Sequence, residues 1–272
     1  TKLFNIRDFY PQMFVDEGLI SKYSPIYYYF RFFEWLNYKA ADTIAIESPK
    51  NLEWFCKNSS HNKPLVLLYN WAADTPSVSQ NGYYRNVLGI QNKVVYFYGG
   101  NIGPQQDIPN IVRLAKAMRF EAKAHFVFVG EGFALPLLRQ SIEKLNLENV
   151  SVLPPVTQAE FKKILTEFDV GLFSLNYNHT THNIPGKLLG YMVHGKPILG
   201  SINPNNDLES ILGESGAGLI TINGDDEGFL KNALKLMNDS KMRATMGSNS
   251  KKLLKNMFSV KQAVDTIFKT IR

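Results

Sequence analysis

Thr181-His182-Asn183-Ile184-Pro185-Gly186-Lys187-Leu188-Leu189-Gly190-Tyr191-Met192-Val193-His194-Gly195-Lys196-Pro197-Ile198-Leu199-Gly200 reads as a loop, a short helix, a glycine stop and a buried strand. Pro185 and Gly186 stand where a helix would begin, and proline suits a first helical turn because its missing N–H would be unpaired there anyway. Leu188, Leu189 and Met192 give the helix an apolar side. Gly195 fits a C-terminal cap and Pro197 follows it. A helix that opens from a loop presents unpaired N–H groups, and Lys187 in the first turn adds a positive charge, so the pattern is that of an anion site. A surface helix with a solvated lysine has the same sequence pattern, and the stretch alone leaves both readings open.

Working outward, the same alternation of element types recurs. Strands are expected at 94–98, 126–129, 150–153, 169–174 and 218–222, separated by helices at 108–118, 135–145 and 158–168 and followed by one at 226–238. Strands alternating with helices of this length imply βαβ units and a parallel sheet. Ligands of such sheets bind at the carboxyl ends of the strands. The loops there, 99–103, 130–132, 154–156 and 176–187, are expected to line one rim.

Toward the N-terminus, residues 3–6 read as a strand that delivers Arg7 and Asp8 to a loop. Residues 24–40 read as one helix, capped by Ser24 and started by Pro25. It carries Tyr27, Tyr28, Tyr29, Phe30, Phe32, Phe33, Trp35 and Tyr38, with Arg31 and Lys39 among them. A helix packed on a sheet, using its aromatics as core, is the favoured reading; an interfacial helix at a membrane surface is the alternative. A strand at 42–47, a helix from Ser48-Pro49 to Lys57 and a strand at 65–69 follow, and residues 75–92 form the best linker candidate. Residues 241–272 carry two helical runs joined near Phe258-Ser259, with Ser259 as a cap.

Composition narrows the chemistry. The chain has 272 residues, 44% of them hydrophobic and 20% charged, which is ordinary for a globular protein. One cysteine, Cys56, excludes an intrachain disulfide framework and cysteine-rich metal sites. No apolar run approaches the length of a membrane span. The net charge of +6 suits phosphates, nucleotides or an acidic surface. Its basic residues do not form a block and no nucleic-acid module is present, so no nucleic-acid partner is expected. Position 105 is Gln, so Gly99-Gly100-Asn101-Ile102-Gly103 is not a dinucleotide fingerprint, and no phosphate loop or serine-hydrolase elbow exists. Five histidines without a zinc pattern argue against a metal, but His179, His182 and Asn183 lie on the expected ligand rim.

Taken in order, Ile6-Arg7-Asp8-Phe9-Tyr10-Pro11-Gln12, Ala41-Asp42-Thr43-Ile44, Ser48-Pro49, Asn70-Trp71, Tyr98–Gly103, Phe128–Gly132, Pro185–Met192 and Gly195-Lys196-Pro197-Ile198 form a series spanning nearly the whole chain. Each is weak alone. The ordered set resembles the family-four (group 1) retaining glycosyltransferases of the α/β GT-B fold, two Rossmann-like domains with parallel sheets around a cleft. The likeness is to bacterial enzymes of O-antigen and capsule synthesis that use UDP-N-acetyl amino sugars, the fucosaminyl type included.

That resemblance implies a partial acceptor-side domain at 1–75, a linker at 76–92, a nucleotide-sugar domain at 93–250 and a terminal helix at 251–272 that crosses back to the first domain. It implies an incomplete N-terminal domain, so that a missing N-terminal half or an oligomer enters as a partner. It places the diphosphate at Gly100, Asn101, Gly103, Gln106 and the start of the 185–188 helix: Pro185, Gly186, Lys187 and Leu188. The base falls near Gly130, Glu131, Gly132, Pro155 and Val156, and Asn183 also touches substrate. Arg7 and Asp8 face the acceptor, and Lys187 stabilises the leaving group. The family's Glu-x7-Glu carboxylates fall at His182 and Gly190, which departs from its pattern at both contacts; its basic phosphate pair falls at Asn101 and Gln106, a milder departure, since asparagine and glutamine are usual there in the sub-type resembled.

The expectation is a metal-free, cofactor-free transfer of a sugar from a UDP-sugar to a lipid-linked glycan, in the cytoplasm or at the inner face of the membrane. The alternative is a fragment that binds nucleotide-sugar without turnover. A sugar-nucleotide epimerase of the same shape is a remote third.

Overall fold

The computed structural model describes residues 1–77 and 82–271. Two parallel sheets organise it. The smaller has the order β1-β2-β3, with β1 at Leu3–Ile6, β2 at Thr43–Ile46 and β3 at Leu65–Leu67. β3 ends two residues before the sequence pattern suggests. The larger has the order β6-β5-β4-β7-β8-β9: β4 Val94–Gly99, β5 Ala124–Val129, β6 Val150–Leu153, β7 Val170–Ser174, β8 Ile198–Ile202 and β9 Gly218–Ile222. All of its pairings are parallel.

From β4 the chain winds outward to β5 and β6, then returns to place β7 on β4's other side. Strand order reverses there, and a parallel sheet opens a crevice at such a switch point. Tyr191 is buried beneath this point. Its ring packs against Gly171, where no Cβ would fit, and its buried hydroxyl accepts from Gly99 N and lies 3.1 and 3.0 Å from the carbonyl oxygens of Phe97 and Leu172. One side chain thereby ties the ends of β4 and β7 together. The buried faces of the large sheet divide into two apolar clusters. Val95, Phe97, Val127 and Val129 face one way, while Tyr96, Tyr98, Phe126 and Phe128 face the other, as the period of two requires.

Helices α1 (Gln12–Asp16), α2 (Pro25–Ala40) and α3 (Pro49–Asn58) belong with the small sheet. Ser24 and Ser48 cap α2 and α3 by accepting from Tyr27 N and Asn51 N. The expected burial of α2's aromatics does not occur. Only Tyr38 is buried, against Phe4 and Phe55. Tyr28, Tyr29, Phe32, Phe33 and Trp35 are between 45% and 60% exposed.

Residues 83–92, expected within a linker, are folded instead. The helix α4 (Tyr83–Val87) docks against the helix at Gln158–Glu167, whose Glu167 accepts from Tyr84 N and Arg85 N. Arg85 also pairs with Asp169 at 2.7 Å. Residues 78–81 of that expected linker lie outside the described residues.

The larger layer is completed by α5 (Ile108–Ala117), α6 (Leu135–Leu145), α7 (Gln158–Glu167), α8 (Lys187–Val193), α9 (Leu208–Glu214) and α10 (Asp226–Asn238). α11 (Ser240–Met257) packs on α8, with Leu253 and Leu254 in its core. The chain then crosses: Ala72 N donates to Phe258 O at 2.9 Å and Tyr69 packs edge-on to Phe258. α12 (Val260–Ile271), capped by Ser259 Oγ, lays Ala263 and Ile267 on the small sheet beside Ala45 and Leu68. The crossing falls at Phe258-Ser259, not at 251.

Candidate functional site

The carboxyl ends of both sheets face one cleft of about 1030 Å³. From the large sheet come the loops after β4, β5, β6 and β7; from the small sheet come Arg7 and Asp8 after β1 and Glu47 after β2. That volume sits at the upper end of small-molecule sites.

Two glycine turns form the floor. Gly100 has φ +110° and Gly130 φ +147°, conformations that side chains rarely adopt. A Cβ on Gly130 would overlap the Gly100 carbonyl oxygen, so glycine there lets the β4 and β5 loops touch. On the rim, Asn101 Nδ2 donates to Gln106 Oε1 at 3.4 Å, and Gly103 N donates to the same oxygen at 3.0 Å. The neutral pair holds its own loop together.

Lys187 is the dominant electrostatic feature. It opens α8 one residue after Gly186; Pro185 lies outside the helix and its carbonyl accepts from Leu188 N at 3.0 Å. The ammonium is not solvated. Nζ is buried with no hydrogen-bond partner, 3.5 Å from the centroid of the Tyr98 ring, and it lines the cleft. Burial pushes its pKa well below the ordinary lysine value. The solvated-lysine reading is thereby corrected: the helix drops this side chain onto Tyr98 instead of into water.

The opposite wall reaches the same loop. Asn183 Nδ2 donates to Asp8 Oδ1 at 2.9 Å and Ile184 N to Glu47 Oε1 at 3.1 Å. Burial raises the Asp8 pKa while Arg7 lowers it. Glu47, 3% exposed, is pushed up to about 8, first by burial and then by Asp8, while the Ile184 N–H and Arg7 pull it down.

Of the residues singled out from sequence, Arg7, Asp8, Gly100, Asn101, Gln106, Gly130, Glu131, Pro155, Val156, Asn183, Pro185, Gly186 and Lys187 line the cleft. Four do not. Leu188 is wholly buried in the core, and Gly103 and Gly132 lie behind the rim, packed on Asn101. His182 points away from the cleft, toward the charges of Lys50, Glu53 and Asp207. Its backbone is held by α3: N donates to Asn51 Oδ1 at 2.6 Å and O accepts from Ser48 Oγ at 3.2 Å. Of the two neighbours, it is Asn183 that reaches the cleft. Glu47 carried no sequence signal for the site, since its partner Ile184 is distant in the chain.

The sequence model described as glycosyl transferases group 1 matches residues 83–253, the cleft's large-sheet half included. The chain belongs to the group 1 glycosyltransferase family. A curated relative, the probable glycosyltransferase WbjE of Pseudomonas aeruginosa, is 25% identical over 217 residues, 78% of this chain and 54% of its own length. The chain thus spans about half the length of that relative. Among solved structures, HepE of Anabaena in complex with UDP and glucose superposes with a TM-score of 0.80 at 17% identity, covering 99% of this chain and 70% of that one. WaaG, a glycosyltransferase involved in lipopolysaccharide biosynthesis, gives 0.75 at 14% identity over 98% and 74%. The two-sheet architecture is the GT-B fold of these neighbours.

Proposed function

We propose that the cleft binds a UDP-sugar and that the chain transfers its sugar, an N-acetyl amino sugar, with retention of configuration and without a metal, to a lipid-linked glycan of a bacterial surface polysaccharide. The observation that carries this is Lys187: a buried amine without a partner, set at the switch-point crevice beside the glycine loops. A diphosphate supplies the charge that this amine lacks. As the sugar leaves, negative charge grows on the diphosphate, and a desolvated cation stabilises it more than one in water would. Gly130, Glu131 and the Pro155-Val156 turn would hold the nucleoside, while Arg7 and Asp8 face the acceptor. Residues 1–75 then form the acceptor side, and residues 93–250 hold the donor.

The donor class is supported by the UDP and glucose bound in HepE, and the polysaccharide setting by WaaG's role in lipopolysaccharide synthesis. The amino-sugar specificity rests on the ordered motifs from Ile6 to Ile198. No helix among the described residues is long and apolar enough to cross a membrane. The exposed aromatics of α2, with Lys39 over the Trp35 ring at 4.9 Å, suit a peripheral contact with the inner membrane face.

A second reading, nucleotide-sugar binding without turnover, is favoured by one observation. The two positions where the family places carboxylates hold an outward-facing His182 and the side-chain-free Gly190. Calorimetric titration with UDP, paired with an assay of UDP-sugar hydrolysis, separates the readings. Binding with turnover supports the enzyme, binding alone supports the second reading, and no binding by the folded chain overturns both.

A further inference from the structure

Glu47 directly follows β2, at the edge of the small sheet that faces the cleft. Its neighbours in the strand, Ile44, Ala45 and Ile46, are fully buried, and Glu47 is nearly so at 3% exposure. No basic side chain among the described residues lies within ion-pair distance of it. Oε1 accepts from Ile184 N, and Oε2 makes no hydrogen bond to a described residue. An unpaired carboxyl in such a place is costly to bury. At a cavity wall such a group is a candidate ligand contact. Its position is specific: the amide it holds lies three residues before Lys187, on the loop that crosses from one wall to the other.

We propose that Glu47 is a specificity-determining residue that contacts the transferred sugar, holding the Ile184 amide with one carboxyl oxygen and a sugar hydroxyl with the other. This rests on the reading that the cleft binds a diphosphosugar. With the diphosphate at Lys187, the sugar extends toward the opposite wall, where Glu47 waits beside Arg7 and Asp8. In the protonated form it donates to a sugar oxygen while accepting from Ile184. A glutamine has the same pair of functions at every pH. The other titratable groups around it are Arg7 and Asp8 after β1, and His179 and Lys187 across the cleft.

The test compares dissociation constants for UDP with those for UDP-glucose and UDP-N-acetylglucosamine, at pH 6.5 and 9, on the wild type, Glu47→Gln and Glu47→Ala. For the tighter-binding sugar nucleotide, its affinity relative to UDP falls about tenfold in Glu47→Ala, the worth of one hydrogen bond to a buried polar group. In Glu47→Gln that ratio is kept. In the wild type the ratio drops between pH 6.5 and 9, and in Glu47→Gln it does not. An unchanged ratio in Glu47→Ala, or UDP weakened as much as the UDP-sugar, overturns the role of Glu47 and leaves the nucleotide site standing. UDP failing to bind the folded wild type overturns the underlying reading instead. Should Glu47→Ala not fold, the pH arm decides: equal pH dependence in the wild type and Glu47→Gln sinks the proposal.

Discussion

The amine of Lys187 rests 3.5 Å from the centre of the Tyr98 ring, with no oxygen within hydrogen-bonding reach. The folded chain holds this lysine at a pKa below that of the unfolded chain, so at neutral pH its burial opposes folding. The penalty fades as pH rises toward the ordinary lysine value. Lys187→Met fills the same space without a charge. It is expected to raise the melting temperature by a few degrees, roughly 1–2 kcal/mol for a chain of this size, and to abolish UDP binding. Differential scanning calorimetry with and without UDP reads both effects. A variant that keeps UDP affinity refutes the anion role.

Binding should also take up protons. A diphosphate beside Lys187 restores the favourable state of the charged amine, so its pKa climbs on complex formation. Titrations at pH 7.5 in buffers of different ionisation enthalpy are expected to show net uptake in the wild type. Release of protons contradicts the model.

Gly130→Ala attacks the floor of the cleft. The new Cβ collides with the Gly100 carbonyl in a backbone conformation that already disfavours side chains. A loss of about 2–4 kcal/mol in urea denaturation is expected. UDP affinity should fall with it, since both loops line the cleft.

His182→Ala should leave UDP affinity within about twofold, although His182 sits where the family's sugar-facing carboxylate is expected. Its side chain lies outside the cleft, and its anchoring to α3 is through backbone atoms. A tenfold loss would place the imidazole in the site after all.

Acid stability should turn on His125. Burial, with Lys93 adding to it, holds its pKa down to about 4, and the ring lies 2.8 Å from Ser151 Oγ at 7% exposure. The folded state therefore takes up this proton at lower pH than the unfolded chain. Stability is intact above about pH 6.5 and is lost as pH falls toward 4, by at most about 3 kcal/mol from this group. In His125→Gln the difference between denaturation at pH 7 and pH 4.5 should shrink by that share.

The parallel layer was legible because its signals are local: apolar runs such as Val94–Tyr98 and Phe126–Val129, each closed by glycine. Short elements were not. α4 has five residues, too few to show a period, and it exists because Glu167 and Asp169 hold it from another part of the chain. α1, also of five residues, escaped for the same reason. At the site, the glycine loops and Lys187 announced themselves by spacing. Glu47 did not, since its partner is 137 residues away. The eight-residue spacing from His182 to Gly190 matched the family pattern, but spacing does not report which side chains of a loop reach the cleft. The aromatic run of α2 misled in a similar way, because residue type alone does not tell a covered ring from a bare one.

The chain passes between the two sheets at two places, and the passages lie side by side: Ala72 pairs with Ser259 in a parallel bridge, sealed by the Ala72–Phe258 hydrogen bond. That seam fastens the outgoing passage to the returning one, so neither can leave the other's side without giving up the Ala72–Phe258 bond.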